Sequence, residues 1–334
     1  MHEPLPPEAQ EKTSIISTGS LPAAGTVAAM LHDAYELYRV GDEGRVADYI
    51  PVLAEVPRDL FGACITSVDG TQHAEGDADH SFTIQSVSKP FVFALVCQAI
   101  GVEEARRKIG VNATGMPYDS VIALELSPDR LTNTMVNAGA IATTSLAPGK
   151  TAEEKWRFVL DGLSRFAGRR LEINETAYNS EMATNQRNRG VAKLLEGYER
   201  MYCDAMEATD VYTRQCSINV TTRDLAVMSA TLAGGGVNPL SGERVVGTAV
   251  SKRVLAVLAT AGLYELTGDW LYETGLPGKS GVSGGLITVI PGKGGLATFS
   301  PPLDDAGNSI KGLQVTRYLS ERMALNLFAS KPRQ

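Results

Sequence analysis

Histidine is scarce in this chain, and its placement rules out much catalysis. Of 334 residues only His2, His32, His73 and His80 are histidine, all within the first 80 positions. Gly281-Val282-Ser283-Gly284-Gly285 has the G-x-S-x-G spacing of a nucleophile elbow, but that design needs a histidine after its serine and none follows. There is no H-E-x-x-H and no Cys/His cluster, so no His- or Cys-ligated metal is expected, and no cofactor. The four cysteines, Cys64, Cys97, Cys203 and Cys216, include no C-x-x-C pair and read as reduced core residues, which points to the cytoplasm. A basic excess is missing too: 31 Lys and Arg against 38 Asp and Glu give a net charge of -7. Such a chain carries no electrostatic footprint for nucleic acid or anionic membrane. The longest apolar stretch, 91–102, is interrupted by Gln98 and is too short to span a bilayer. The opening MHEPLPPEAQEKTS has neither the basic nor the apolar region of a secretory leader. GLPGKS at 275–280 falls short of a phosphate-binding loop, because Glu273 stands where the first glycine is needed.

What remains is an ordinary soluble composition with β-patterns at both ends and helical patterns between them. Residues 1–22 are polar and proline-rich, and read as a flexible tail. Apolar periodicity predicts a helix over 26–40. Residues 62–68 alternate as a strand and lead into Asp69-Gly70, a two-residue hairpin signal. A short strand is expected at 82–84, ahead of a helix starting near Ser86. Helical patterns cover 150–167 and 191–206, and Gly234-Gly235-Gly236 marks a loop. Residues 286–290 and 296–299 read as a hairpin around Pro291-Gly292-Lys293-Gly294-Gly295, and 309–329 as a closing helix. The pattern implies an α+β fold formed as one domain over 23–334. Its sheet part comes from about 23–85 and 245–330, with a helical lobe at about 86–244 and the site in the cleft between them.

Without a usable histidine, a serine nucleophile needs lysine or tyrosine as its activator. Ser86-Val87-Ser88-Lys89 is an S-x-x-K motif, and on a helix residues three apart share a face. Buried, Lys89 would favour the neutral amine and could act as general base. Pro90 is tolerated only in a first helical turn, so Ser86 would sit at a helix start beside free N–H groups. Ser88 is a second serine in the same turn, but Lys89 would point away from it. Lys279-Ser280-Gly281 resembles the K-[ST]-G triad of penicillin-recognising enzymes, whose strand faces the S-x-x-K serine. By that logic the Val282 N–H would be the second oxyanion donor beside that of Ser86. Ser217-Ile218-Asn219 is a formal S-x-N, so a β-lactamase or D-Ala-D-Ala peptidase can also be drawn on this chain. A binding protein with a decayed site would be marked by loss of Ser86 or Lys89, and both are present.

Longer blocks bear a more specific resemblance. Phe82-Thr83-Ile84-Gln85-Ser86-Val87-Ser88-Lys89-Pro90, Met135-Val136-Asn137-Ala138-Gly139-Ala140-Ile141, Ser180-Glu181 with Arg187-Asn188, and the YTRQCSI run from Tyr212 are four of them. Gly262-Leu263-Tyr264, the stretch from Gly275 through Val282 to Gly285, and Ser300 to Asp304 with Gly307-Asn308-Ser309 complete the series. Together they resemble, in order, the serine-dependent glutaminases, bacterial and mitochondrial enzymes of the β-lactamase/penicillin-recognising-type fold. The resemblance implies an antiparallel sheet flanked by helices plus a helical lobe. It also implies hydrolysis of L-glutamine to L-glutamate and ammonia, and a homo-oligomer, dimer or tetramer. It makes Ser86 the nucleophile and Lys89 its activator. Asn137, Glu181, Asn188, Tyr212, Tyr264 and Val282 match substrate-binding positions, and Tyr49 a further pocket tyrosine. The residue types suit a zwitterion with an amide tail: Glu181 for the ammonium, and Asn137, Asn188 or Tyr212 for the carboxylate. Tyr264 or Tyr212 could relay the proton, and Tyr264 is preferred. One departure is Asn133-Thr134, where the family pattern has Asn-Pro, and it should loosen that turn.

Overall fold

The computed structural model describes residues 19–329. Of the tail expected over 1–22, residues 1–18 lie outside them; within them, Leu21 packs against an apolar core. Among the described residues eight strands form: β1 Gly62–Ser67, β2 Gln72–Gly76, β3 Phe82–Thr83, β4 Glu172–Ile173, β5 Ile218–Val220, β6 Gly278–Ser280, β7 Gly285–Ile290 and β8 Gly294–Phe299. Five of them make one antiparallel sheet in the order β2-β1-β8-β7-β6, so the two ends of the chain meet at the β1–β8 ladder, where Ala63 faces Thr298. The other three make a small antiparallel sheet, β3-β5-β4, that leads the chain to Ser86.

Alternation along the strands builds a separate core on each face of the large sheet. On one face Ala63 and Ile65 of β1 and Leu296 of β8 pack with Val27, Leu31 and Ala34 of helix Ala24–Tyr38 and with Val315 and Leu319 of helix Ile310–Arg322. On the other, Cys64, Ile287, Val289, Ala297 and Phe299 meet Leu225, Ala226 and Met228 of helix Thr222–Ala233 and the apolar side of helix Ser88–Ile100. Both faces are covered, which is why the strands read as nearly continuous apolar runs. Helix Thr222–Ala233 starts at a capping box: Thr221 accepts from the Asp224 N–H, and the Asp224 carboxylate accepts from that of Thr221. Among the described residues no single helix is long and apolar enough to cross a membrane.

Two helix expectations are corrected. The pattern over 191–206 is not one helix: Gln186–Gly197 ends in a turn where Glu199 takes φ 58°, and Ala205–Cys216 starts afresh. The second start is capped by Asp204, whose carboxylate accepts from the N–H groups of Met206 and Glu207 at 2.8 and 3.0 Å. The closing helix stops at Arg322. Ala324 turns left-handed at φ 54°, and the Leu325 N–H reaches back to the Ser320 carbonyl, which tucks Leu325 into the core. Helices Thr248–Ala261 and Thr267–Thr274 also fall within the stretch read from sequence as sheet.

Candidate active site

The turn carrying Ser86 is bent by one strained residue. After β3 the chain forms a short 3-10 turn, Gln85–Val87, before helix Ser88–Ile100, and Gln85 sits at φ 48°. For a residue with a Cβ that conformation costs energy and needs outside support. The support is visible: the Gln85 side-chain amide donates to Thr83 Oγ1 at 3.3 Å and to the Glu181 carboxylate. Ser88 serves the same turn, donating to the Gln85 carbonyl at 2.7 Å while accepting from Gln215 Nε2 at 2.9 Å. Both bonding positions of the Ser88 hydroxyl are thus taken up, by the turn itself and by Gln215. The backbone N–H of Ser86 has no hydrogen-bond partner among the described residues, nor has that of Val282.

Lys89 is 1 % exposed, and burial lowers its pKa to about 8. Its Nζ donates to Asn137 Oδ1 at 2.7 Å and to the Met135 carbonyl at 3.3 Å; no hydrogen bond joins it to the Ser86 hydroxyl among the described residues. The Ser86 side chain instead lowers the pKa of the Tyr264 phenol against the larger effect of burial, with no Ser86–Tyr264 hydrogen bond formed among the described residues. Tyr264 is itself left-handed, at φ 57°, and donates to the Ser280 carbonyl at 3.2 Å. Burial pushes its pKa upward. A second buried lysine, Lys279 of edge strand β6, donates to the same carbonyl at 2.7 Å and lies 4.0 Å from the Tyr264 ring centroid. Burial, and then the nearby Lys89 charge, hold its pKa well below the usual lysine range.

Asn137 links the lysine to the cleft. Its Oδ1 also accepts from Tyr212 at 3.3 Å, and its Nδ2 donates to Asn188 Oδ1 at 3.0 Å, which sets the orientation of its amide. Helix Asn137–Ser145 can pack this close because position 139 is glycine: a Cβ there would lie 2.0 Å from the Asn133 carbonyl oxygen. The Asn133-Thr134 turn is held by hydrogen bonds. Asn133 accepts from the Met135 N–H, and the fully buried Thr134 accepts from Thr143 at 2.9 Å. The turn at 281–284 also approaches the Ser86 turn closely, since a Cβ on Gly281 would press on Val87 Cγ2 at 3.1 Å and on the Ile84 carbonyl at 3.2 Å.

Seven of the nine residues singled out in the sequence, Tyr49, Ser86, Asn137, Glu181, Asn188, Tyr212 and Val282, line one cleft of about 170 Å³. Lys89 and Tyr264 are not on its wall and reach it through Asn137 and Ser86. The volume is well below the roughly 300–1,000 Å³ of drug-sized sites and suits a single amino acid. Glu181 is enclosed, and burial raises its pKa to about 7, opposed by the hydrogen bond from Gln85. A carboxylate in that condition gains from a bound cation. The formal S-x-N does not join this group: Ser217 is fully buried, donates to the Thr213 carbonyl, and is not part of the cleft wall. Residues that motif reasoning missed are there, among them Gln85, Tyr118, Asp119 and Arg187. Gln85 and Arg187 lay inside blocks already singled out; Tyr118 and Asp119 lay in no motif. The arrangement can hold a small zwitterion by its ammonium and present a serine, two free N–H groups and a phenol to its acyl carbon.

Comparison with known proteins gives a consistent picture. The family model described as glutaminase matches residues 44–328. Glutaminase 2 of Yersinia pestis is 57 % identical over 317 residues, covering 95 % of this chain and 93 % of that one. The solved structure of the probable glutaminase ybaS superposes with a TM-score of 0.91 at 42 % identity, over 92 % of this chain and 100 % of that one. The Bacillus subtilis glutaminase YbgJ, solved as a covalent complex with 5-oxo-L-norleucine formed by reaction with 6-diazo-5-oxo-L-norleucine, superposes with a TM-score of 0.82 at 32 % identity, over 90 % and 100 % of the two chains.

Proposed function

The chain belongs to the glutaminase family and hydrolyses L-glutamine to L-glutamate and ammonia, and we propose that it does so through a γ-glutamyl ester on Ser86. The observation that carries this reading is the position of Ser86. Its side chain acts on the Tyr264 phenol, its N–H has no partner among the described residues, and it shares one small cleft with the half-buried Glu181. Glu181 takes the substrate ammonium, and Asn137, Asn188 and Tyr212 supply the polar donors for the carboxylate, which leaves the side-chain amide at Ser86.

Ser86 Oγ then attacks the amide carbon. Its proton passes to the Tyr264 oxygen while the phenol hands its own proton to the neutral amine of Lys279, which shares the Ser280 carbonyl with it, so that the proton rests on the buried lysine pair Lys279 and Lys89. The oxyanion accepts from the N–H groups of Ser86 and Val282, each such donor being worth about 3 kcal/mol. The same relay protonates the departing nitrogen, ammonia leaves, and water enters to cleave the ester by the reverse proton path. Tyr264 suits the relay better than Tyr212, because the Tyr212 hydroxyl is turned to Asn137 rather than to Ser86. This amends the simple S-x-x-K reading: Lys89 acts on the serine through its neighbours rather than by direct contact.

The same reading makes residues 23–334 one catalytic domain and puts the enzyme in the cytoplasm as a dimer or tetramer. The compartment is supported by four unpaired cysteines, Cys64, Cys97, Cys203 and Cys216. The test is reaction with 6-diazo-5-oxo-L-norleucine followed by peptide mass spectrometry. The adduct is expected on the peptide bearing Ser86; an adduct elsewhere, with Ser86 unmodified, would remove it from the mechanism.

A further inference from the structure

A residue in no motif makes contacts with four of the groups the reaction needs. Tyr118 lies in the segment just before helix Val121–Leu126, half-buried at the wall of the cleft. Its hydroxyl is 3.0 Å from that of Tyr49. Its ring packs on the ring of Tyr264, with centroids 4.7 Å apart and planes tilted by 41°. Its backbone carbonyl accepts the N–H of Asn137 at 2.8 Å. Its side chain also packs on a small apolar cluster formed by Ala47, Ile50 and Leu53 with Val282 and Leu303. That cluster is separate from the two cores of the large sheet and joins the segment carrying Tyr49 to the turn carrying the second oxyanion donor. The next residue fastens the assembly on its far side, where the Asp119 carboxylate meets Arg187 at 3.0 Å, beside Asn188.

Tyr49 needs such an anchor. It is 55 % exposed at the mouth of the cleft, and its only side-chain hydrogen bond among the described residues is the one to Tyr118. An exposed aromatic held by one polar contact will leave its place when that contact is lost.

We propose that Tyr118 is a positioning residue with two separable actions. Its hydroxyl latches Tyr49 over the bound substrate, and its ring holds Tyr264 at the nucleophile. The proposal rests on the glutaminase reading above and adds a residue to it. The latch encloses substrate and transition state alike, so its loss raises KM and spares kcat. The ring acts on a group that moves a proton, so its loss lowers kcat.

The experiment is steady-state ammonia release from L-glutamine by wild type, Tyr118→Phe, Tyr49→Phe, the double variant, and Tyr118→Leu. Wild-type release establishes the parent reading in the same assay, so failure of the latch and failure of the glutaminase reading are told apart. Each single Phe variant is expected to raise KM about fivefold, as for one neutral hydrogen bond, with kcat within about twofold of wild type. Because the two hydroxyls form one contact, the double variant should be no worse than the worse single variant. A double variant near the product of the two effects, about 25-fold by independent addition, would overturn the latch, as would an unchanged KM in Tyr118→Phe. Tyr118→Leu is expected to lower kcat tenfold or more, on the order of a misplaced catalytic group, while Tyr118→Phe, which keeps the ring, retains it. Equal kcat in the Leu and Phe variants would overturn the action on Tyr264. If the Leu variant does not fold, as judged by circular dichroism, the Phe cycle still decides the latch, and a folded Tyr118→Met, which keeps bulk without a ring, with wild-type kcat would overturn the action on Tyr264.

Discussion

The pH dependence of kcat/KM should carry two acid limbs, one from each of two buried groups of opposite type. Glu181 must be ionised to take the substrate ammonium, and burial raises its pKa to about 7 in the free enzyme. Lys89 must be neutral to support proton removal, and burial lowers its pKa to about 8. Both requirements fail as pH falls, so kcat/KM should drop with a slope of one between pH 7 and 8 and approach two below pH 7. At pH 6 about one-tenth of Glu181 is ionised and about one-hundredth of Lys89 is neutral, so kcat/KM should stand near one-thousandth of its plateau, within a factor of about ten. In kcat the lower limb should vanish, because the bound ammonium pulls the Glu181 pKa down and keeps it ionised. Glu181→Gln should raise KM roughly 10- to 100-fold, the value of a charged hydrogen bond, and should leave one limb in kcat/KM. The assay is coupled glutamate release across pH 5.5–9.5 in constant-ionic-strength buffers, a range of about four units around both groups. A kcat/KM that is level between pH 6 and 8, or a Glu181→Gln profile that still approaches a slope of two, would refute the assignment of these groups.

The same carboxylate bears on stability. Its folded pKa is raised above the unfolded value, so the folded protein binds the extra proton between about 4.5 and about 7 and loses stability as pH rises through that window. Glu181→Gln should therefore be more stable than wild type at pH 8, by roughly 3 kcal/mol at most, with the advantage gone near pH 4.5, as read by urea unfolding at both values. Ser88→Ala should keep kcat within about threefold yet lose about 1–2 kcal/mol of stability, because the buried Gln215 amide loses its acceptor; a variant as inactive as Ser86→Ala would reverse the roles of the two serines. Gly139→Ala should cost several kcal/mol, about 3 or more, or prevent folding, since no side chain fits 2.0 Å from a carbonyl oxygen; wild-type thermal stability would contradict the close approach.

The parts of the site that were legible in the sequence are those that lie close together along the chain. Ser86 and Lys89 share a helical turn, Lys279 to Val282 form one strand and its turn, and Glu181 and Asn188 sit on neighbouring helices of one block. The runs of β1, β7 and β8 with the turn residues between them likewise gave the hairpins, because strands buried on both faces have little choice of residue. What escaped notice depends on contacts between distant segments. Tyr118 carries no local signal; it matters because four segments, those of Tyr49, Asn137, Tyr264 and Val282, converge on it. The direct Ser86–Lys89 contact suggested by helical spacing is not formed: Lys89 bonds Asn137 instead, and Ser86 lies in a 3-10 turn ahead of the helix that carries Lys89. The helix read over 191–206 shows the same limit, as the left-handed turn falls on Glu199 rather than on Gly197, where the first helix ends.

The central claim is that this chain releases ammonia from L-glutamine through Ser86. The most direct measurement is ammonia release by the purified protein and by Ser86→Ala, with both shown to be folded. The account predicts steady release by the wild type and at least about a thousandfold loss in the variant, as expected when a nucleophile is removed. Comparable release by the two proteins would contradict it.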